Sequence, residues 1–120
     1  PVYKFGKSGI RSLILKRKMM NGMTLSGEVI KNKEIEHYVE KISNKMDLMG
    51  SINIQLRMTK NGPILFEINP RLSGTLVFRD KMGFNDLRWW VSDLLNLENK
   101  SYNPPEEGVK FFRGYKEYLY

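Results

Sequence analysis

The sequence reads as an α+β fold, an antiparallel sheet with helices packed on one face, and three observations lead there. Ser51 to Thr59 alternates apolar and polar residues, Ile64 to Ile68 is a second strand-like run, and only a Lys60-Asn61-Gly62 turn separates them. Ile35, Tyr38, Val39, Ile42, Met46 and Met49 recur at helical spacing instead. Further turn and helix signals alternate with apolar runs on both sides of this core.

At 120 residues the chain is one domain or a piece of one. Its first residue is Pro1, which suggests an excised segment, although removal of an initiator methionine leaves the same trace. No apolar run approaches the roughly 20 residues of a membrane span, and no signal peptide is visible. The absence of cysteine excludes disulfides and thiolate metal sites and fits a cytoplasmic protein. The formal charge of +7 implies an anionic partner. Its basic residues are spread, with one run at Lys16-Arg17-Lys18, and read as a solvated surface, a phosphate pocket or a nucleic-acid surface.

Taken in order, Pro1 to Gly9 has little pattern. Ile10 to Lys18 reads as one strand, Asn21-Gly22 as a turn, and Thr24 to Ile30 as a second strand around Gly27. Asn32 is an N-cap candidate with Glu34 and Glu36 in the first turn, and Gly50 closes that helix as a C′ residue. His37, the sole histidine, reads as a surface or boundary residue. Past the hairpin, Leu76 to Met82 reads as a short helix ended by Gly83. A further helix begins near Asn85, with Leu87, Trp90, Val91, Leu94 and Leu95 on its packed face. Asn103-Pro104-Pro105 is a break, and Val109 to Tyr118 reads as a last strand whose aromatics pack on a sheet rather than stack on bases.

The chemistry concentrates in Phe66-Glu67-Ile68-Asn69-Pro70-Arg71-Leu72-Ser73-Gly74. Strand side chains alternate between faces, so Glu67, Asn69 and Arg71 share one if the strand extends that far, and Phe66 takes the other. A carboxylate, an amide oxygen and a guanidinium together suit magnesium-clamped phosphates. Whether Gln55 joins them depends on the turn. A two-residue Asn61-Gly62 turn puts Gln55 opposite Ile68. A three-residue loop, with Gly62 left-handed, pairs Thr59 with Pro63 and brings Gln55 opposite Glu67 and Asn53 opposite Asn69. The second reading keeps the apolar faces together and is preferred. Magnesium takes one or two carboxylates and completes its shell with water and phosphate oxygens, so Gln55, Glu67 and Asn69 suffice as metal ligands. Arg71 is placed to stabilise charge on a transferred phosphoryl group, and the Ser73-Gly74 turn to meet an anion or a carboxylate. The bland alternative is a surface hairpin with a charge-balanced polar face. The length of the run, with Gln55 opposite, favours the site.

Phe-Glu-Ile-Asn-Pro-Arg-Leu-Ser-Gly resembles the metal-binding strand of ATP-grasp ligases, especially those like the carbamoyl-phosphate synthase large subunit. The order of helix, glycine, Asn-Ile-Gln strand, lysine-bearing turn, motif and Gly-Phe-Asn-led helix extends the resemblance over about residues 24 to 97. It implies that residues 1 to 120 are the C-terminal subdomain of an ATP-grasp fold without the N-terminal subdomain. It also implies ATP and magnesium (or manganese) as cofactors and a small carboxylate activated as an acylphosphate for attack by an amine or thiol. By the same resemblance Gln55, Glu67 and Asn69 are metal ligands, Arg71 is the catalytic cation and a phosphate contact, and Arg17 or Lys18 contacts ATP or substrate. Ser73 and Gly74 join the cofactor contacts, and Phe66 is the apolar residue against adenine. The full-length protein would then be a ligase, a homodimer is one assembly to test, and this segment alone would be inactive. The other class of function is a small basic α/β module that binds nucleic acid or a protein partner without catalysis.

Overall fold

A computed structural model of the chain describes residues 1–5, 9–99, 101–115 and 119. The elements are β1 (Val2–Phe5), β2 (Gly9–Ser12), β3 (Leu15–Met20), β4 (Met23–Val29), α1 (Lys33–Lys45), β5 (Gly50–Thr59), β6 (Gly62–Asn69), α2 (Leu76–Lys81), α3 (Asp86–Leu94) and β7 (Lys110–Phe112). They build the expected α+β architecture from two antiparallel sheets, one ordered β2-β1-β5-β6 and the other β3-β4-β7. None of the described helices is long and apolar enough to cross a membrane.

The expectation of helices on one face is corrected: the larger sheet is covered on both, and its residue pattern explains why. Val2 and Ile52 are cross-strand partners on β1 and β5, and they pack with Ile35 and Val39 of α1. One residue along, Tyr3 and Ser51 are partners on the opposite face, where Tyr3 packs with Phe84 and Trp89. The Tyr3 and Trp89 rings lie 5.5 Å apart and the Phe84 and Trp89 rings 5.1 Å, within the range of favourable aromatic contact. The Tyr3 hydroxyl donates to Asp93, and burial pushes its ionisation above the ordinary tyrosine range.

α1 begins where its cap chemistry places it. The Asn32 side chain accepts from the Ile35 N–H at 3.0 Å, with Glu34 and Glu36 in the first turn. His37 is exposed, as expected. The C-terminal boundary expected from Gly50 is corrected: Met46 is the C-cap and Asp47 takes the left-handed conformation (φ 48). Gly50 opens β5 at φ 85, where an added Cβ would lie 2.6 Å from the Trp90 ring. Close approach to Trp90, rather than helix capping, explains that glycine.

Four other expectations are corrected. Ile10 to Lys18 is not one strand: it breaks at Leu13-Ile14, where the chain leaves the larger sheet for the smaller, both residues packing inward. The unpatterned N-terminus contains β1, an interior strand with Val2 and Tyr3 buried. α3 turns Asp86 and Trp89 inward and leaves Leu87, Val91, Leu94 and Leu95 exposed. The Asn21-Gly22 turn is as expected, both residues having positive φ between β3 and β4. β7 is shorter than the expected strand. It places Phe111 inside and Phe112 outside, and residues 116–118 lie outside the described residues.

Candidate functional site

The β5–β6 hairpin brings Gln55 opposite Glu67 and Asn53 opposite Asn69, as the sequence predicts, but by another route. Gly62 is left-handed (φ 98), yet the ladder closes with Thr59 opposite Gly62 and Met58 opposite Pro63, one residue from the expected register. A bulge then restores it. Leu56 faces Leu65 and Gln55 faces Glu67, so one step along β5 matches two along β6, and Phe66 is the extra residue.

The bulge changes which face Phe66 occupies. Leu65 is opposite Leu56, whose side chain packs toward α1. Alternation from Leu65 puts Phe66 on the other face, and the pairing with Gln55 puts Glu67 there as well. The expectation that these two point apart is therefore corrected. Phe66 is 62% exposed, next to an exposed carboxylate.

Three polar side chains converge at this point. Gln55 Nε2 donates to Glu67 Oε2 at 2.6 Å, and Asn69 Nδ2 donates to Glu67 Oε1 at 2.6 Å. A fourth arrives from the other sheet: Arg17 of β3 donates through Nη2 to Gln55 Oε1 at 2.8 Å and through Nη1 to Thr24 Oγ1 at 3.1 Å. Burial lowers the pKa of Arg17, and the Glu67 charge acts in the opposite direction. The basic run thus sends one cation to the cluster. Lys16 pairs with Glu28 at 3.2 Å, and the exposed Lys18 alternates with Arg17 and shares the face of Lys16, so the structure does not bring Lys18 to the cluster.

The remaining candidates sit on the loop after β6. The strand stops at Asn69, so the alternation expected to carry Arg71 onto the Glu67 face ends two residues short. Pro70 lies in a bend across which the Arg71 N–H donates to Asn69 O at 2.8 Å, and Arg71 Nη1 turns back to Leu72 O at 3.0 Å. Ser73 and Gly74 are held from two sides: Arg79 Nη1 donates to Ser73 Oγ at 2.8 Å, and Arg113 Nη2 donates to Gly74 O at 3.2 Å. Arg113 Nε also reaches Thr24 O at 3.3 Å, tying the loop to the sheet that carries Arg17.

Sequence reading missed Arg79, Asp86 and Arg113. Arg79 and Asp86 are completely buried, and a guanidinium inside a short helix beside a helix-starting aspartate gives no periodic signal. Two clefts of about 360 and 320 Å³ lie elsewhere, one beside Trp89 and one beside Tyr102. The polar cluster itself occupies an open sheet face.

The donor set fits a divalent ion once its amides turn. Among the described residues no group of three or more His, Cys, Asp or Glu side chains converges, so the cluster has one carboxylate and two amides. Half a turn of each amide about its terminal bond exchanges NH₂ for oxygen and leaves three hard oxygen donors converging, which fits magnesium completed by phosphate and water. Turning Asn69 gives up its N–H bond to Glu67, so the two oxygens face each other only with a cation between them. Gln55 must also release Arg17, because its NH₂ would otherwise meet a donor. The family model described as ATP-grasp in the biosynthetic pathway with Ter operon matches residues 6–114.

Proposed function

The chain belongs to this ATP-grasp family, which carries ligase-type function in a biosynthetic pathway, and on that premise we propose that the β5–β6 cluster is its metal–nucleotide site. The observation that carries the reading is the convergence of Gln55, Glu67 and Asn69 with Arg17 at the junction of the two sheets. Glu67, Asn69 and Gln55 would hold Mg²⁺ through oxygen, with Mn²⁺ as a substitute. Bound there, the ion supplies charge neutralisation for ATP phosphates.

Each side chain then has a separable task. Glu67 contributes the only full negative charge of the donor set, so it dominates the attraction for a cation. Arg17 is held on Gln55 until that amide turns its oxygen inward, which frees a partly desolvated guanidinium for phosphate oxygens. Arg71, on the loop next to Asn69, is the second anion-pairing group. It is the residue we propose for stabilising charge on the transferred phosphoryl group. Phe66, brought to the Glu67 face by the bulge, offers an exposed apolar surface to the base. The Ser73-Gly74 turn supports the loop that meets the anion.

The reaction class is carboxylate activation: a small carboxylate attacks the γ-phosphorus of ATP and expels ADP, and an amine or thiol then attacks the acyl carbon of the resulting acylphosphate and expels inorganic phosphate. We read the site as of the carbamoyl-phosphate synthase large-subunit type on the run Phe66 to Gly74. These described residues would form the C-terminal, metal-binding half of an ATP-grasp domain. The test is magnesium-dependent ADP release by the full-length protein. Glu67→Ala is expected to lower it at least about a hundredfold, because a metal–phosphate site supplies several kcal/mol of charge stabilisation. Unchanged turnover sinks the reading.

A further inference from the structure

Beyond these contacts, a second polar network lies under the loop that carries Arg71, and none of its charged members faces solvent. Arg79 and Asp86 are both 0% exposed and paired through two parallel bonds, Nε to Oδ1 at 3.0 Å and Nη2 to Oδ2 at 2.7 Å. The third arm of the guanidinium, Nη1, donates to Ser73 Oγ at 2.8 Å and Thr75 Oγ1 at 3.2 Å. Asp86 Oδ2 accepts in turn from Ser51 Oγ of β5. One buried pair thus connects β5, the loop after β6, α2 and α3.

A pair of this kind is weak evidence for stability, since burying both charges offsets much of their attraction and apolar residues of the same volume often serve as well. Its geometry is informative in another way. Ser51 stands four residues before Gln55 on the same face of β5, and Ser73 stands four residues after Asn69. The network therefore sets the distance between the strand carrying Gln55 and the loop carrying Arg71. α2, with 6 residues, is too short to hold that loop by its own helical stability. Arg79 also occupies the Ser73 hydroxyl, and Thr75 Oγ1 lies 2.9 Å from it. The loop is left to meet an anion with Arg71 and backbone N–H groups.

We infer that the Arg79–Asp86 pair is a positioning device that holds the Asn69–Gly74 loop in register with Gln55 and Glu67, so that loop and cluster engage one polyphosphate together. This rests on the nucleotide reading above. It predicts an effect on the phosphate end of the ligand and none on the base end. The test compares MgATP and adenosine, each titrated calorimetrically into the full-length protein carrying Arg79→Lys. Lysine keeps the charge beside Asp86 but loses the fork that reaches Asp86 and Ser73 together. Supporting groups of this type shift affinity by about ten- to a hundredfold. MgATP affinity is expected to fall by that factor, with adenosine affinity within about twofold of wild type. Val39→Ala, which opens a cavity under α1 on the other face of the sheet, controls for lost stability and is expected to leave the MgATP-to-adenosine ratio unchanged. Equal weakening of both ligands, or no weakening, overturns the positioning role and leaves the nucleotide site standing. Failure of the wild-type protein to bind MgATP overturns both.

Discussion

Ser51 and Gln55 lie on the same face of β5, and each anchors a polar cluster of a different kind. Around Gln55 the carboxylate of Glu67 is exposed, its partners are two amides, and Arg17 approaches from another sheet. Around Ser51 the carboxylate of Asp86 is fully buried, its partner is a bidentate guanidinium, and every bond stays within the larger sheet, its loop and its helices. Water competes for the first cluster and is excluded from the second. The first is open to exchange partners for a metal and phosphates, and the second is not. Two sites four residues apart on one strand thus have opposite properties through their solvent access and their partners.

The sharpest way to break this contrast is to remove one charge from each cluster. Asp86→Ala leaves Arg79 buried without its counter-charge, which is expected to cost about 3–5 kcal/mol of folding stability in a denaturant titration. The paired change Arg79→Met with Asp86→Leu is expected to recover most of that loss. Removing the exposed carboxylate with Glu67→Gln is expected to change stability by less than about 0.5 kcal/mol. Comparable losses at Asp86 and Glu67 would show that burial does not separate the two clusters.

A smaller effect separates neighbours in the basic run. Arg17→Met is expected to weaken MgATP binding about tenfold, a difference of about 1.4 kcal/mol, in the full-length protein. Lys18→Met, on the other face of β3, is expected to leave it within about twofold. Equal effects would mean that net charge, not the Arg17–Gln55 contact, draws the nucleotide.

The smallest effect supplies a scale. Asn32→Ala removes the side-chain cap of α1, an element that contributes no side chain to either cluster, and is expected to cost about 1 kcal/mol in the same denaturant titration with MgATP affinity unchanged. A change in affinity there would show that nucleotide binding reports general stability.

What the sequence disclosed follows the same division between local and tertiary causes. The Asn32 cap, the Asn21-Gly22 turn and the alternation of β5 are local, and all were legible. Gln55 meets Glu67 as the alternation implied, although a turn one residue out of register and an unforeseen bulge at Phe66 compensate each other. A bulge is set by what the two strands must pack against, and no residue in Leu65-Phe66-Glu67 announces it. The inward face of α3 was misread because Asp86 and Trp89 answer to Arg79 and Tyr3, whereas the leucine stripe suggested the reverse. β1, with four residues, carries too short a pattern to be recognised before β2 and β5 enclose it. The candidate metal residues were readable from the motif. The resemblance offered Arg17 or Lys18 without choosing between them, because the choice depends on how the second sheet folds over the first.

A divalent ion and ATP phosphates are proposed to meet at Gln55, Glu67 and Asn69. Paramagnetic Mn²⁺ added to the isotope-labelled full-length protein with a non-hydrolysable ATP analogue tests it most directly. Strong, saturable broadening of the amide signals of Gln55, Glu67 and Asn69 is expected, with Arg17 and Arg71 next and α1 unaffected. Glu67→Ala is expected to abolish it. Saturable broadening centred elsewhere, or persisting unchanged in Glu67→Ala, would rule out a metal–nucleotide site at these residues.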